Sequence, residues 1–160
     1  MPKYFIPLIY TGIFAIILVV AVPKQDIRRL AIYGIIFGAV VDVFTITLGN
    51  ITGLYGYINY GPFGFMGIPF FPPISWTIFF MLYFYFLPEQ RPLLYVYVAS
   101  AIFYSILFAN LIMNLGIFTL SHRWLPSLIV FSIWIPAVTW GFYKLAKKNA
   151  KKTTCKDELK

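Results

Sequence analysis

Asp42 lies in the run LAIYGIIFGAVVDVFTITL, where every other residue from position 30 to 48 is uncharged. The other acids, Asp26, Glu89, Asp157 and Glu158, all neighbour basic residues in polar segments. An ionisable side chain at the centre of an apolar helix costs roughly 2.5 to 3.5 kcal/mol on insertion scales, so it calls for a role. Gly34, Gly38, Asp42, Thr45 and Gly49 recur at spacings of three and four and so share one helical face. Gly34 and Gly38 form a G-x-x-x-G pattern, which predicts close helix packing and turns Asp42 toward protein. No Lys or Arg falls at that depth to hold it ionised. Two roles stay open: a proton donor, ion ligand or polar anchor for a substrate, or a hydrogen-bonded joint between helices.

Other residues can complete such a site. The segment 49–73, GNITGLYGYINYGPFGFMGIPFFPP, holds six glycines, four prolines, seven aromatics and no charge. Glycine at that density argues against one long helix, and the aromatic content argues against a solvated linker. An ordered outer cap is expected, with Tyr57 and Asn59 as candidate ligand contacts and a lid over a cavity as the functional alternative to a structural cap. Trp76, Tyr104, Asn110 and Asn114 join Asp42 and Thr45 in the candidate binding set, although polar residues in apolar helices also serve simply to join them. His122 has no second His, Cys or carboxylate near it in sequence, so no metal is expected. The chain carries no Gly-rich phosphate loop, Ser/His/Asp set or Cys/His metal spacing, and no cofactor is expected. The sole cysteine, Cys155, can form no disulfide within the chain.

The elements that must position these residues follow from hydropathy. Of 160 residues, 61% are hydrophobic and 11% charged, against roughly a quarter charged in soluble domains. The expected fold is all-α: a polytopic integral membrane bundle, a single domain over residues 1–145, with spans near 4–22, 30–48, 69–87, 93–115 and 125–142. The first span reads as a retained helix and not a signal peptide, because more positive charge follows it than precedes it. The third apolar core, residues 74–87, is short, and the missing length is expected from upstream, with Pro72 and Pro73 in its first turn or at a break. Pro126 and Pro136 are expected to kink the fifth span.

Charge sets the orientation. Five spans put Lys24, Arg28, Arg29, Arg91 and seven tail lysines inside, against Lys3 and Arg123 outside. That asymmetry predicts an outside N-terminus and a cytoplasmic C-terminus. Seven of the thirteen basic residues lie after Tyr143, beside the last span and in the tail, 146–160, which is expected to fray, so nucleic acid is not an expected partner. The KDEL in that tail precedes Lys160 and is not a terminal retention signal.

Asp42, Tyr57, Pro69, Pro73, Trp76 and the closing Tyr83-x-x-x-Leu87-Pro88 resemble a family of small, uncharacterised multi-pass membrane proteins of spore-forming bacteria. The resemblance implies a bacterial cytoplasmic membrane and no established activity. More faintly, GIPFFPPISW is similar to the Gly-x-Pro and Pro-x-x-Trp pattern of carotenoid hydratases and lycopene cyclase-like membrane proteins. The resemblance implies carboxyl groups that protonate a polyene, and the cyclases carry paired acids after a proline, where this chain has Phe70 and Phe71. Three functions follow as expectations: binding of a lipid or another membrane partner, including a second copy of the chain; acid catalysis by Asp42 on an isoprenoid or other apolar substrate; or a proton or ion path through Asp42.

Overall fold

The computed structural model describes residues 2–65, 67–120 and 125–157, with side chains up to 145. The chain is mostly helical. Helix α1 is Ile6–Ala21, α2 runs continuously over Lys24–Thr52, α3 is Phe71–Tyr85, α4 is Arg91–Asn114 and α5 is Leu125–Asp157. Four of them, α1 with its leading turn, α2, α4 and α5, are long and apolar enough to cross a membrane.

Proline sets several of these boundaries. Pro7, Pro72 and Pro92 lie in the first turns of α1, α3 and α4, where a missing N–H leaves no helical bond unmade. Val22 is extended (φ −117°, ψ 126°), the conformation that a following proline favours, and this separates α1 from α2. Gly53 closes α2 in the left-handed conformation at φ 67°.

Helix α3 is the centre of the bundle. It is apolar on every side, the pattern of a helix surrounded by others, and buries Ile78, Phe80, Met81, Tyr83 and Phe84. Its backbone packs on α1 and α2, while α4 and α5 pack on each other. Rings join the two groups: Phe84 stacks on Phe142 at 4.2 Å, and Tyr83 on Tyr97 at 5.0 Å. Tyr83 and Thr139 share a 2.7 Å hydrogen bond, and the Tyr97 hydroxyl donates to the Tyr83 carbonyl.

Both ends of α3 coincide with ends of the longer helices. At one end Phe63 bridges Tyr4, Phe5 and Phe71, and strand β1 (Tyr55–Tyr57) pairs antiparallel with β4 (Phe118–Leu120). At the other, the Tyr143 hydroxyl donates to the Pro88 carbonyl, and Tyr33 meets Phe142 edge to face. The five helices therefore alternate in direction between two ends of one bundle. Lys3 lies at the strand end; Lys24, Arg28, Arg29, Arg91 and Lys144 lie at the opposite one.

Two expectations need correction. Length upstream of Pro72 does not extend α3, because Ile68–Pro69 forms strand β3, paired with β2 (Gly64–Phe65) in a short hairpin. Nor is the helix broken at the prolines, which begin it. The segment after position 145, rich in Lys and Ala and free of Gly and Pro, continues α5 to Asp157 where fraying was expected.

Candidate functional site

The glycine face of α2 determines where Asp42 goes. A Cβ on Gly38 would lie 2.7 Å from the Trp76 and Thr77 backbone, and one on Gly34 would lie 2.8 Å from the Thr77 carbonyl, so only glycine lets α2 and α3 come this close. Between Ile35 and Val40 the helix widens into a π-turn, a feature frequent at functional sites. The Phe37 carbonyl in that turn accepts a 3.0 Å bond from Trp134 Nε1, which ties α5 to α2. Asp42 follows directly and is only 5% exposed.

Beneath the strand cap lies a cavity of about 480 Å³. It sits between the α1, α2 and α3 group and the α4 and α5 pair, where contact is made chiefly by rings. Tyr10, Asp42, Trp76, Ser105 and Trp134 line it from the five helices, and Tyr55, Tyr57 and Phe118 roof it from the cap. Tyr104, Leu107 and Leu111 line it too, yet are 66%, 49% and 54% exposed, so its mouth lies along α4 and not through the cap.

Most polar atoms at the walls are satisfied. The Thr11 and Ser75 hydroxyls share a 2.5 Å bond, in which one donates to the other and the second donates to the backbone carbonyl within its reach, Pro7 for Thr11 or Phe71 for Ser75. Thr45 donates to the Asp42 carbonyl at 2.9 Å. Two enclosed atoms have no partner among the described residues: Asp42 Oδ2 and Ser105 Oγ. Both residues line this cavity. A buried polar group left unpaired costs about 1 to 3 kcal/mol, and such groups are few in folded proteins.

No family model, curated protein or solved structure matches this chain.

Of the residues singled out from sequence, Asp42, Thr45, Tyr57, Trp76 and Tyr104 meet at the cavity. Asn110, Asn114 and Asn59 do not. Asn110 donates back to the Ile106 carbonyl of its own helix, Asn114 is exposed, and Asn59 holds the cap by donating to the Gly116 carbonyl at 2.9 Å. His122 lies outside the described residues. Tyr10, Ser75, Ser105, Ser127 and Trp134 also line the cavity and carry no motif or spacing that sets them apart from the other polar and amphipathic residues of their apolar helices. Among the described residues, no group of three His, Cys, Asp or Glu could hold a metal.

The Asp42 carboxyl is close enough to act electrostatically on the hydroxyls of Tyr10, Tyr55 and Tyr57. In the cap, burial pushes Tyr55 up to about 12 and Tyr57 well above the usual tyrosine value, and the Asp42 charge adds to both. These phenols are therefore neutral O–H groups over the whole physiological range. The site combines apolar and aromatic walls, a neutral phenol roof, and two lining residues, Asp42 and Ser105, that each keep an enclosed oxygen without a partner among the described residues. It can hold an apolar molecule by its length and a donor-bearing end by Asp42 and Ser105.

Proposed function

We propose that this protein crosses the bacterial cytoplasmic membrane five times, with its cap outside and its basic C-terminus in the cytoplasm, and binds a lipid-like ligand in the cavity behind α4. The observation that carries the binding reading is that both unpartnered enclosed polar atoms, Asp42 Oδ2 and Ser105 Oγ, belong to residues lining one largely apolar cavity. An apolar pocket with a few convergent polar groups is the usual form of a small-molecule site. The mouth beside Tyr104, Leu107 and Leu111 suits entry from the bilayer, because the side chains at its edge are mainly apolar. Excess positive charge at the end opposite the cap supports the orientation.

The test is purification in mild detergent followed by mass spectrometry of what co-purifies. Wild type is expected to retain one enriched lipid species, and Asp42→Asn and Ser105→Ala to retain roughly tenfold less, the equivalent of about 1.4 kcal/mol in affinity, while melting no lower than wild type once all three are stripped of lipid. No enriched lipid in wild type, or equal amounts in all three proteins, would remove the reading.

A further inference from the structure

The cavity's charge and its aromatic walls say more about the ligand than apolarity alone. Among the described residues, Asp42 is the only Asp, Glu, Lys, Arg or His that lines it. A lipid bearing phosphate or carboxylate would bring a negative group beside the Asp42 carboxyl in a water-poor space that offers no counter-charge, which disfavours the common anionic and zwitterionic headgroups. Of the 24 lining residues, 11 are Phe, Tyr or Trp, about twice the 21% of the whole chain. Aromatic faces attract cations through their quadrupoles, and more strongly where water is excluded. Trp76 and Trp134 sit 4.9 Å apart on one wall, and Phe131 lies 5.4 Å from Trp76 on the same side. Asp42 and Ser105 line the same cavity, and among the described residues Asp42 Oδ2 and Ser105 Oγ have no hydrogen-bond partner.

We infer that the cavity takes a lipophilic cation, an apolar molecule carrying an amine or quaternary ammonium group, with its charge between Asp42 and the aromatic wall. This rests on the lipid-binding reading and narrows it to one ligand class. Such a molecule has two sources, an amine-bearing lipid of the membrane or a free lipophilic cation that enters from outside, and the recognition chemistry is the same for both. An amine donates to the carboxyl and to Ser105; a quaternary ammonium, which has no N–H, relies on the Asp42 charge and the rings.

Two probes of nearly one shape and opposite charge test it: tetraphenylphosphonium and tetraphenylborate, titrated against the full chain in mild detergent. Binding is read by equilibrium dialysis and by quenching of tryptophan fluorescence, with protein-free micelles subtracted. The phosphonium is expected to bind saturably and at least roughly tenfold more tightly than the borate, and Asp42→Asn to lose roughly tenfold or more of that affinity at unchanged melting temperature. Phe131→Leu, which removes one ring of the aromatic wall, serves as a second variant if Asp42→Asn fails to fold. Mass spectrometry of material displaced by the phosphonium separates the sources: a released amine-bearing lipid indicates the membrane, and binding with nothing released indicates a free cation. Equal binding of both probes, or phosphonium binding untouched by either variant, overturns the inference. A neutral lipid that co-purifies with wild type, is lost in Asp42→Asn and is not displaced by the phosphonium overturns it while leaving lipid binding intact. No lipid and no probe binding removes both.

Discussion

Asp42 and Ser105 set a test that separates a ligand site from a helix joint. If Asp42 joins helices, its removal weakens the bundle; if it waits for a ligand, the empty protein carries it at a cost. Its Oδ2 has no partner, so the second case is the stronger. Asp42→Leu, which faces a cavity with room for the change, is expected to stabilise the lipid-free protein by about 1 kcal/mol or more, and Ser105→Ala to be neutral or mildly stabilising. The gain should vanish when wild type is saturated with its ligand, since binding to the native state stabilises by mass action. Thermal unfolding of stripped and lipid-loaded protein measures both. A stripped Asp42→Leu protein that melts lower than wild type would make Asp42 a joint. The cap tyrosines give a second handle. Because burial raises Tyr55 and Tyr57 above their unfolded value, their contribution is fully present below about pH 10 and is lost as pH rises through the folded values. Wild type should therefore lose stability above about pH 10 and Tyr57→Phe should lose less, as followed by tyrosinate absorbance during unfolding. The orientation of Asp42 was legible in the sequence, since three- and four-residue spacing places it with Gly34 and Gly38 whatever surrounds the helix. Asn110 and Asn114 fall away from the cavity, which the sequence could not show because α4 is apolar nearly all round and hydropathy cannot fix its rotation. Ser105, Phe108 and Ile112 line the cavity at spacings of three and four, and Asn110 falls five residues from Ser105, about 140° round the helix.

Helices α2 and α3 are held together by the absence of side chains at Gly34 and Gly38. At Gly38 the obstructing atoms are backbone, which cannot rotate away, so Gly38→Ala should force the helices apart and cost about 1 to 3 kcal/mol. Gly12 on α1 is the internal control. A Cβ there meets nothing within 4 Å, and Gly12→Ala should be neutral or gain up to about 1 kcal/mol from helix propensity. Reversible unfolding in mixed micelles compares the two; equal effects would mean that the α2 and α3 contact does not limit stability. The cap shows what a linear reading cannot reach at this scale. Glycine and aromatic content between 49 and 73 predicted order, but β1 pairs with β4, 63 residues further along the chain at the Gly56 and Thr119 pair. Strand pairing over that separation depends on where α2 and α4 end in space. The π-turn was equally hidden, because Ile35–Val40 has the composition of any apolar helix and gains its reason only from Trp134 on a distant element.

At the scale of the whole molecule, the question is whether a helix as short as α3 can be a fifth crossing. Its 15 residues span about 22 Å, against about 30 Å of hydrocarbon. Length of that kind is a difficulty for a helix in contact with lipid, because its ends would leave backbone polar groups in the apolar layer. Helix α3 is surrounded by the other helices, so in the proposed five-span arrangement its neighbours would meet the lipid, and its ends are finished by protein: the β2–β3 hairpin at one, and Tyr143 on the Pro88 carbonyl at the other. Irregular backbone enclosed in this way carries no mismatch. Hydropathy flagged the short run and charge asymmetry required it to cross; what neither could supply was this enclosure. The consequence can be measured at residues flanking α3. In a Cys155→Ser background, single cysteines at exposed Phe70 and Gln90 should react with an impermeant maleimide from opposite sides, Phe70→Cys in intact cells and Gln90→Cys only in inverted vesicles. Labelling of both from one side would mean that α3 does not cross, and would place the basic loop at Lys24 and the lysines after Tyr143 on opposite faces of the membrane, against the tendency of positive residues to remain inside.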